Sequence, residues 1–173
     1  GQQYDVDFEQ RDDVTELDYL EMIRLKTAVL LAASLKMGAI QAAASKQDAD
    51  LLYDFGINIG LAFQLKDDFL DVYGDPAVFG KNTGGDILCN KKTYIMIKTR
   101  ELANERQNAE LNKWIQTTTF NPQEKIAAVI NIYNEVGIKV LCENKMREYY
   151  ESAMRSLDKV SIDKEKKNEL INL

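Results

Sequence analysis

The chain has 173 residues, with 22 basic and 28 acidic side chains and a formal net charge of −6. That length suits one domain with a sizeable core, and the acidic balance argues against a general nucleic-acid surface. Histidine is absent, which excludes imidazole metal sites and Ser-His or Cys-His nucleophilic machinery within this chain.

Cys89 and Cys142 have no metal-ligand spacing, and a reduced, cytoplasmic setting is the simpler reading. Only two prolines and long segments of 3.6-residue apolar period predict an all-α fold, with residues 1–173 as one helical unit or part of one. No secretory leader or membrane span is expected, because the apolar run from Ala28 to Ala33 is soon broken by Ser34 and Lys36.

Gly1-Gln2-Gln3-Tyr4-Asp5 leads into an acidic stretch that reaches Asp13 with no helix cap of its own. Asp12-Asp13-Val14-Thr15-Glu16 imitates an acidic metal motif, but acids at a helix start are favourable anyway, and we assign it to capping and surface charge. Thr15, followed three residues later by Asp18, predicts an N-cap. The helix it starts is expected to run from Glu16 to about Ser45, with Gly38 as an irregularity. Its alanines at 28, 32, 33, 39 and 42–44 would let neighbouring helices approach closely. Ser45 with Asp48 then caps the next helix.

That next helix organises the chain. Over residues 49–73, Leu52, Phe55, Ile59, Ala62, Phe63 and Phe69 fill one half of the helical projection, and Leu61, Leu65 and Val72 extend it. A helix apolar on nearly every side is a buried one. Gln64, Asp67, Asp68 and Asp71 nevertheless fall at i, i+3, i+4 and i+7 on one stripe, which continues back through Gly60. Gly74 and Asp75-Pro76 stop the helix, so the aspartates occupy its negative end, where each acid is disfavoured by up to ~1 kcal/mol. A hard divalent cation would relieve both that penalty and their mutual repulsion, and Mg²⁺ typically uses one or two carboxylates plus substrate phosphate. The plainer alternative is a solvated acidic helix end.

A glycine-rich connection follows, Gly80-Lys81-Asn82-Thr83-Gly84-Gly85-Asp86, and leads through Asn90-Lys91-Lys92 into a helix over about residues 93–105. A short helix is expected near residues 109–116. Asn121-Pro122-Gln123-Glu124 is a strong helix start, Gly137 a break, and a further helix covers residues 138–157 before a charged tail from Asp163. Lys26-Thr27 lies inside an apolar helical run, where the lysine either snorkels to solvent or serves a site, and the sequence leaves both open. Lys81 sits where Gly80, Gly84 and Gly85 free the backbone to fold close to an anion, although a lone loop lysine is usually just solvated, and Lys91 lies near a helix start. Lysines converging near carboxylates suggest a polyanion bridged by metal on one side and ammonium groups on the other.

The string Phe63-Gln64-Leu65-Lys66-Asp67-Asp68-Phe69-Leu70-Asp71, followed by Gly74-Asp75-Pro76, Gly80-Lys81, Gly84-Gly85-Asp86-Ile87 and Asn90-Lys91, resembles the trans-isoprenyl diphosphate synthases. These include farnesyl and geranylgeranyl diphosphate synthases. The string matches their second aspartate-rich motif and the lysine-bearing loop after it. Lys26-Thr27 matches their Lys-Thr pair, and Gly1-Gln2 with Asp5 their upstream Gly-Gln element. The resemblance implies a helical bundle around a central cavity and Mg²⁺-dependent condensation of an allylic diphosphate with isopentenyl diphosphate, releasing pyrophosphate.

By that resemblance Asp67 is the principal metal ligand, with Asp68 and Asp71 completing the acidic shell. Lys26, Lys81 and Lys91 hold the allylic diphosphate, and Thr27 and Gln64 stabilise positive charge at the allylic carbon. A homodimer is implied as well. The family also carries an earlier aspartate-rich motif and a basic isopentenyl diphosphate site, neither of which is in these 173 residues. The chain is therefore expected to be the C-terminal half of a synthase, inactive without its N-terminal half. Two other classes stay open: a non-catalytic helical subunit, and a terpene cyclase, against which the loop from Gly80 to Lys91 argues.

Overall fold

The computed structural model describes residues 1–79 and 83–171, and several of its helices begin at side-chain caps. Ser45 Oγ accepts the Asp48 N–H at 3.0 Å and donates to the Asp48 carboxylate at 2.9 Å, starting helix α4 (Lys46–Tyr73). Thr15 and Asp18 form the same exchange ahead of α2 (Glu16–Ile23), and Asn121 with Pro122 opens α9 (Pro122–Val136). The other elements are α1 (Gln2–Glu9), α3 (Val29–Gln41), α5 (Pro76–Phe79), α6 (Gly85–Leu88), α7 (Tyr94–Leu102), α8 (Glu105–Gln116), α10 (Ile138–Asp158) and α11 (Lys164–Ile171). The described residues contain no strand, and the fold is all-α as expected. None of their helices is long and apolar enough to cross a membrane.

Several expectations are corrected. The long helix from Glu16 is interrupted at a π-helical turn, Arg24–Ala28, and passes through Gly38 without a break. Nothing packs within 4 Å of a side chain placed at Gly38, so no contact there requires an irregularity. Helix α1 forms in the acidic stretch to which the sequence assigned no element, because Phe8 is buried and the Tyr4 ring and the Arg11 guanidinium both lie against it. Helix α8 starts four residues early, on a capping box between Asn104 and Gln107. The charged tail folds as α11, where buried Lys167 donates to the Asp158 carbonyl at 2.9 Å. Phe63 was expected inside and is 63 % exposed.

The chain divides into two compact units. The first takes residues 1–2, 21–64 and 145–173, and centres on Phe55, Ala153, Leu157 and Val160 with Leu35, Leu51, Leu52, Ile59 and Leu170 against them. Asp48, already spent on its cap, also accepts the Ser161 N–H at 2.8 Å and so ties the start of α4 to the turn after α10. The second takes residues 3–20 and 65–144, with Tyr19, Ile95, Leu111, Val129, Ile132, Tyr133 and Ile138 fully buried. In it, α9 packs against α6, α7 and α8.

In the first unit α4 approaches its neighbour at backbone distance. A Cβ on Gly60 would lie 2.6 Å from Ala28 Cα, and one on Gly56 would lie 2.5 Å from Ala32 Cα. Gly60→Ala is a diagnostic substitution, because alanine at a permissive helix site gains up to ~1 kcal/mol. Here the clash is with backbone, and a net loss of about 1–3 kcal/mol is expected from overpacking. A lowered urea midpoint at unchanged slope is the expected result, and a raised midpoint would show that the helices are not held this close.

Candidate active site

The residues singled out by sequence fall into two groups, one in each unit. In the first unit, Lys26 and Thr27 lie on the π-helical turn, a rare element found often at functional sites. The close packing of Gly60 on Ala28 brings α4 and this turn together, and Thr27 Oγ1 donates to Gln64 Oε1 at 2.9 Å. Gly1 packs on the same turn, with room for a Cβ denied by the Lys26 backbone. Lys26 itself is exposed.

In the second unit, the three aspartates of α4 have different environments. Asp68 is 3 % exposed; it accepts the Tyr19 phenol at 2.7 Å on one oxygen and the Lys91 ammonium at 3.2 Å on the other. Asp71 accepts the backbone N–H groups of Gly85 and Asp86 at 3.2 and 2.9 Å, while its carbonyl takes the Gly84 N–H at 2.6 Å. Asp67 is exposed. Lys91 also meets Asp86 at 3.2 Å, so one ammonium joins two carboxylates.

The electrostatics follow from burial and this pairing. Burial works against the Lys91 ammonium, yet Asp68 and Asp86 outweigh it and hold its pKa above the ordinary lysine value. Burial pushes the Asp86 carboxyl up to about 6, and the neighbouring charges of Asp68 and Asp71 add to this against the pull of Lys91. Burial, then the Asp68 charge, raises the Tyr19 phenol well above its usual value, so it remains a hydrogen-bond donor.

The structure thus joins Thr27 to Gln64, and Asp68 to Lys91. It does not gather Asp67, Asp68 and Asp71 into one cage: among the described residues no three acidic or cysteine side chains are grouped to hold a metal ion. Lys81 lies outside the described residues. Sequence reasoning missed Tyr19, an apolar-looking member of α2 whose hydroxyl partner stands 49 positions away. It quoted Asp86 without giving it a role.

The sequence matches the Polyprenyl synthetase family model over residues 1–133. The chain belongs to the polyprenyl synthetase family. It is 42 % identical over 137 residues to the short chain isoprenyl diphosphate synthase of Methanothermobacter thermautotrophicus, covering 79 % of this chain and 41 % of that protein. Against the geranylgeranyl diphosphate synthase of Sulfolobus acidocaldarius it is 37 % identical over 161 residues, 93 % of this chain and 48 % of the relative.

Among solved structures, the geranylgeranyl pyrophosphate synthase of Corynebacterium glutamicum complexed with isoprenyl diphosphate and magnesium superposes with a TM-score of 0.86 at 30 % identity. The match covers 98 % of this polyprenyl synthetase chain and 48 % of that one. A crystal structure of another geranylgeranyl pyrophosphate synthase reaches a TM-score of 0.90 at 42 % identity, over 98 % and 53 % of the two chains. The chain spans about half the length of the relatives it matches.

Proposed function

We propose that this chain is the diphosphate-holding part of a prenyltransferase that condenses isopentenyl diphosphate with an allylic diphosphate. The observation that carries the reading is the Lys91 ammonium fixed by Asp86 and by Asp68, the neighbour in sequence of exposed Asp67, in a member of the polyprenyl synthetase family. An ammonium held this way is oriented before a headgroup arrives, which lowers the ordering cost of binding. Lys26 and Lys81 are the other cations we assign to the headgroup.

The donor set fits Mg²⁺, since it offers only oxygen ligands and the chain has no histidine. A closed protein cage is not required, because Mg²⁺ is commonly held by one or two carboxylates together with substrate phosphate. Asp67 would be the principal ligand. Asp68 and Asp71 would complete the acidic shell, chiefly by fixing Lys91 and the turn from Gly84 to Asp86. When bound, the metal would stabilise charge on the departing diphosphate. Thr27 and Gln64 would turn oxygen dipoles toward the developing allylic cation, their mutual hydrogen bond fixing both in orientation. The homodimer and the cytoplasmic setting belong to the same proposal.

The test is product formation from labelled isopentenyl diphosphate and an allylic diphosphate. Residues 1–173 contain a single aspartate-rich motif of this kind, so alone they are expected to give no turnover, and adding the complementary N-terminal half should restore it. Isopentenyl-dependent turnover by a preparation whose mass matches these 173 residues would overturn the half-site reading. For binding, Lys91→Ala is expected to weaken an allylic diphosphate roughly ten- to a hundredfold, the contribution of one charge-assisted contact. Unchanged affinity by calorimetry would remove Lys91 from the site.

A further inference from the structure

Lys125, in the first turns of α9, is 1 % exposed, and no carboxylate pairs with it among the described residues. A buried ammonium without an anion is costly, and a methionine would fill the same space without that cost. Its polar contacts are nevertheless specific. Nζ donates to Asn90 Oδ1 at 2.8 Å and to the Leu88 carbonyl at 3.4 Å, and it lies 4.4 Å from the centre of the Phe120 ring. Burial pulls its pKa below the ordinary lysine value.

Both oxygen acceptors belong to one corner of the chain. Leu88 ends α6, where helix carbonyls lack intrahelical partners and the macrodipole is negative. Asn90 has φ 53°, a left-handed conformation that asparagine tolerates better than most residues, and its Nδ2 donates to the Ile115 carbonyl at 3.2 Å. Lys91 follows at once, its N–H bonded to the Asp86 carbonyl at 2.9 Å and its side chain returning to Asp68 and Asp86.

The opposite end of α6 is held as firmly. The Asp71 carboxylate takes the N–H groups of Gly85 and Asp86, and Ile126, next to Lys125, packs within 2.6 Å of where a Cβ on Gly84 would stand. A four-residue helix cannot sustain itself in isolation. This one is fixed from outside, by a carboxylate at its positive end and an ammonium at its negative end.

We propose that Lys125 is a positioning residue for diphosphate binding: by holding Leu88 and Asn90 it sets the place from which the Lys91 ammonium is presented to the headgroup. The proposal rests on the reading of Lys91 given above, and it gives a role to a buried cation that packing alone would not select.

A double-mutant cycle tests it, with inorganic pyrophosphate and Mg²⁺ as the probe, calorimetry as the readout and the 173-residue chain as the protein. Lys125→Met is expected to weaken binding about tenfold, the size of one lost charge-assisted contact. In the Lys91→Ala background the same substitution is expected to add no further loss, because its effect passes through Lys91. Equal losses in both backgrounds, or no loss with Lys91 present, would overturn the positioning role while leaving the functional reading intact. If the unsubstituted chain takes up no pyrophosphate, the functional reading falls and the proposal with it. If Lys125→Met does not fold by circular dichroism, Asn90→Gly replaces it in the cycle with the same expectations, since it removes the acceptor and keeps the left-handed backbone.

Discussion

Asp67→Ala, made in an active synthase containing this chain, is expected to lower isopentenyl-dependent turnover roughly a hundred- to a thousandfold, as loss of one transition-state charge stabiliser does. Stability should hardly change. Asp67 is exposed near the C-terminal end of α4, where removing a carboxylate relieves an unfavourable macrodipole interaction, and surface substitutions of this kind usually stay within about 0.5 kcal/mol. The decisive measurement is kcat across a Mg²⁺ titration, with the thermal midpoint as control. Near-normal turnover at saturating Mg²⁺ would sink the metal assignment. A collapse of the midpoint would mean that Asp67 supports the fold.

Asp68→Ala is expected to do the reverse and damage the fold first. Its carboxylate is buried between the fully buried Tyr19 phenol and the Lys91 ammonium, and both would lose a charged acceptor. Breaking a buried ion pair from one side typically costs 3–5 kcal/mol, and about 3 kcal/mol is expected because Lys91 keeps Asp86 and some solvent contact. Tyr19→Phe is the control. It removes one hydrogen bond and leaves the ion pair, for a loss of about 1–2 kcal/mol. Urea unfolding of both variants separates them. Should Asp68→Ala prove no more destabilising than Tyr19→Phe, Asp68 would not be the anchor of Lys91.

Together these two substitutions would divide a motif that is uniform in sequence into a part expected to serve the metal and a part expected to hold the fold. Neighbouring aspartates look alike on paper. Their environments diverge because a helix turns 100° per residue, so that Asp67 is exposed while Asp68 is buried against α2 and the corner that carries Lys91.

The sequence alone determined what depends on neighbours within a few residues along the chain. Caps at Thr15, Ser45 and Asn121, the stop after Tyr73 and the break at Gly137 were all legible, because each is a local hydrogen-bonding or φ/ψ requirement. The all-α class followed from apolar period, and the order of Lys-Thr, the acidic motif and the glycine-rich loop carried the family. Helices α1 and α11 were missed for the opposite reason: their residues are locally polar, and what holds them is buried Phe8 in the one and, in the other, Leu170 against the core and Lys167 on the Asp158 carbonyl. Tertiary structure alone decided that Asp68 pairs with Tyr19 and Lys91, that Thr27 meets Gln64 across 37 residues, and that Lys125 closes the corner at Asn90. Those pairings depend on which helix faces approach within hydrogen-bond distance, and no spacing along a single helix encodes that.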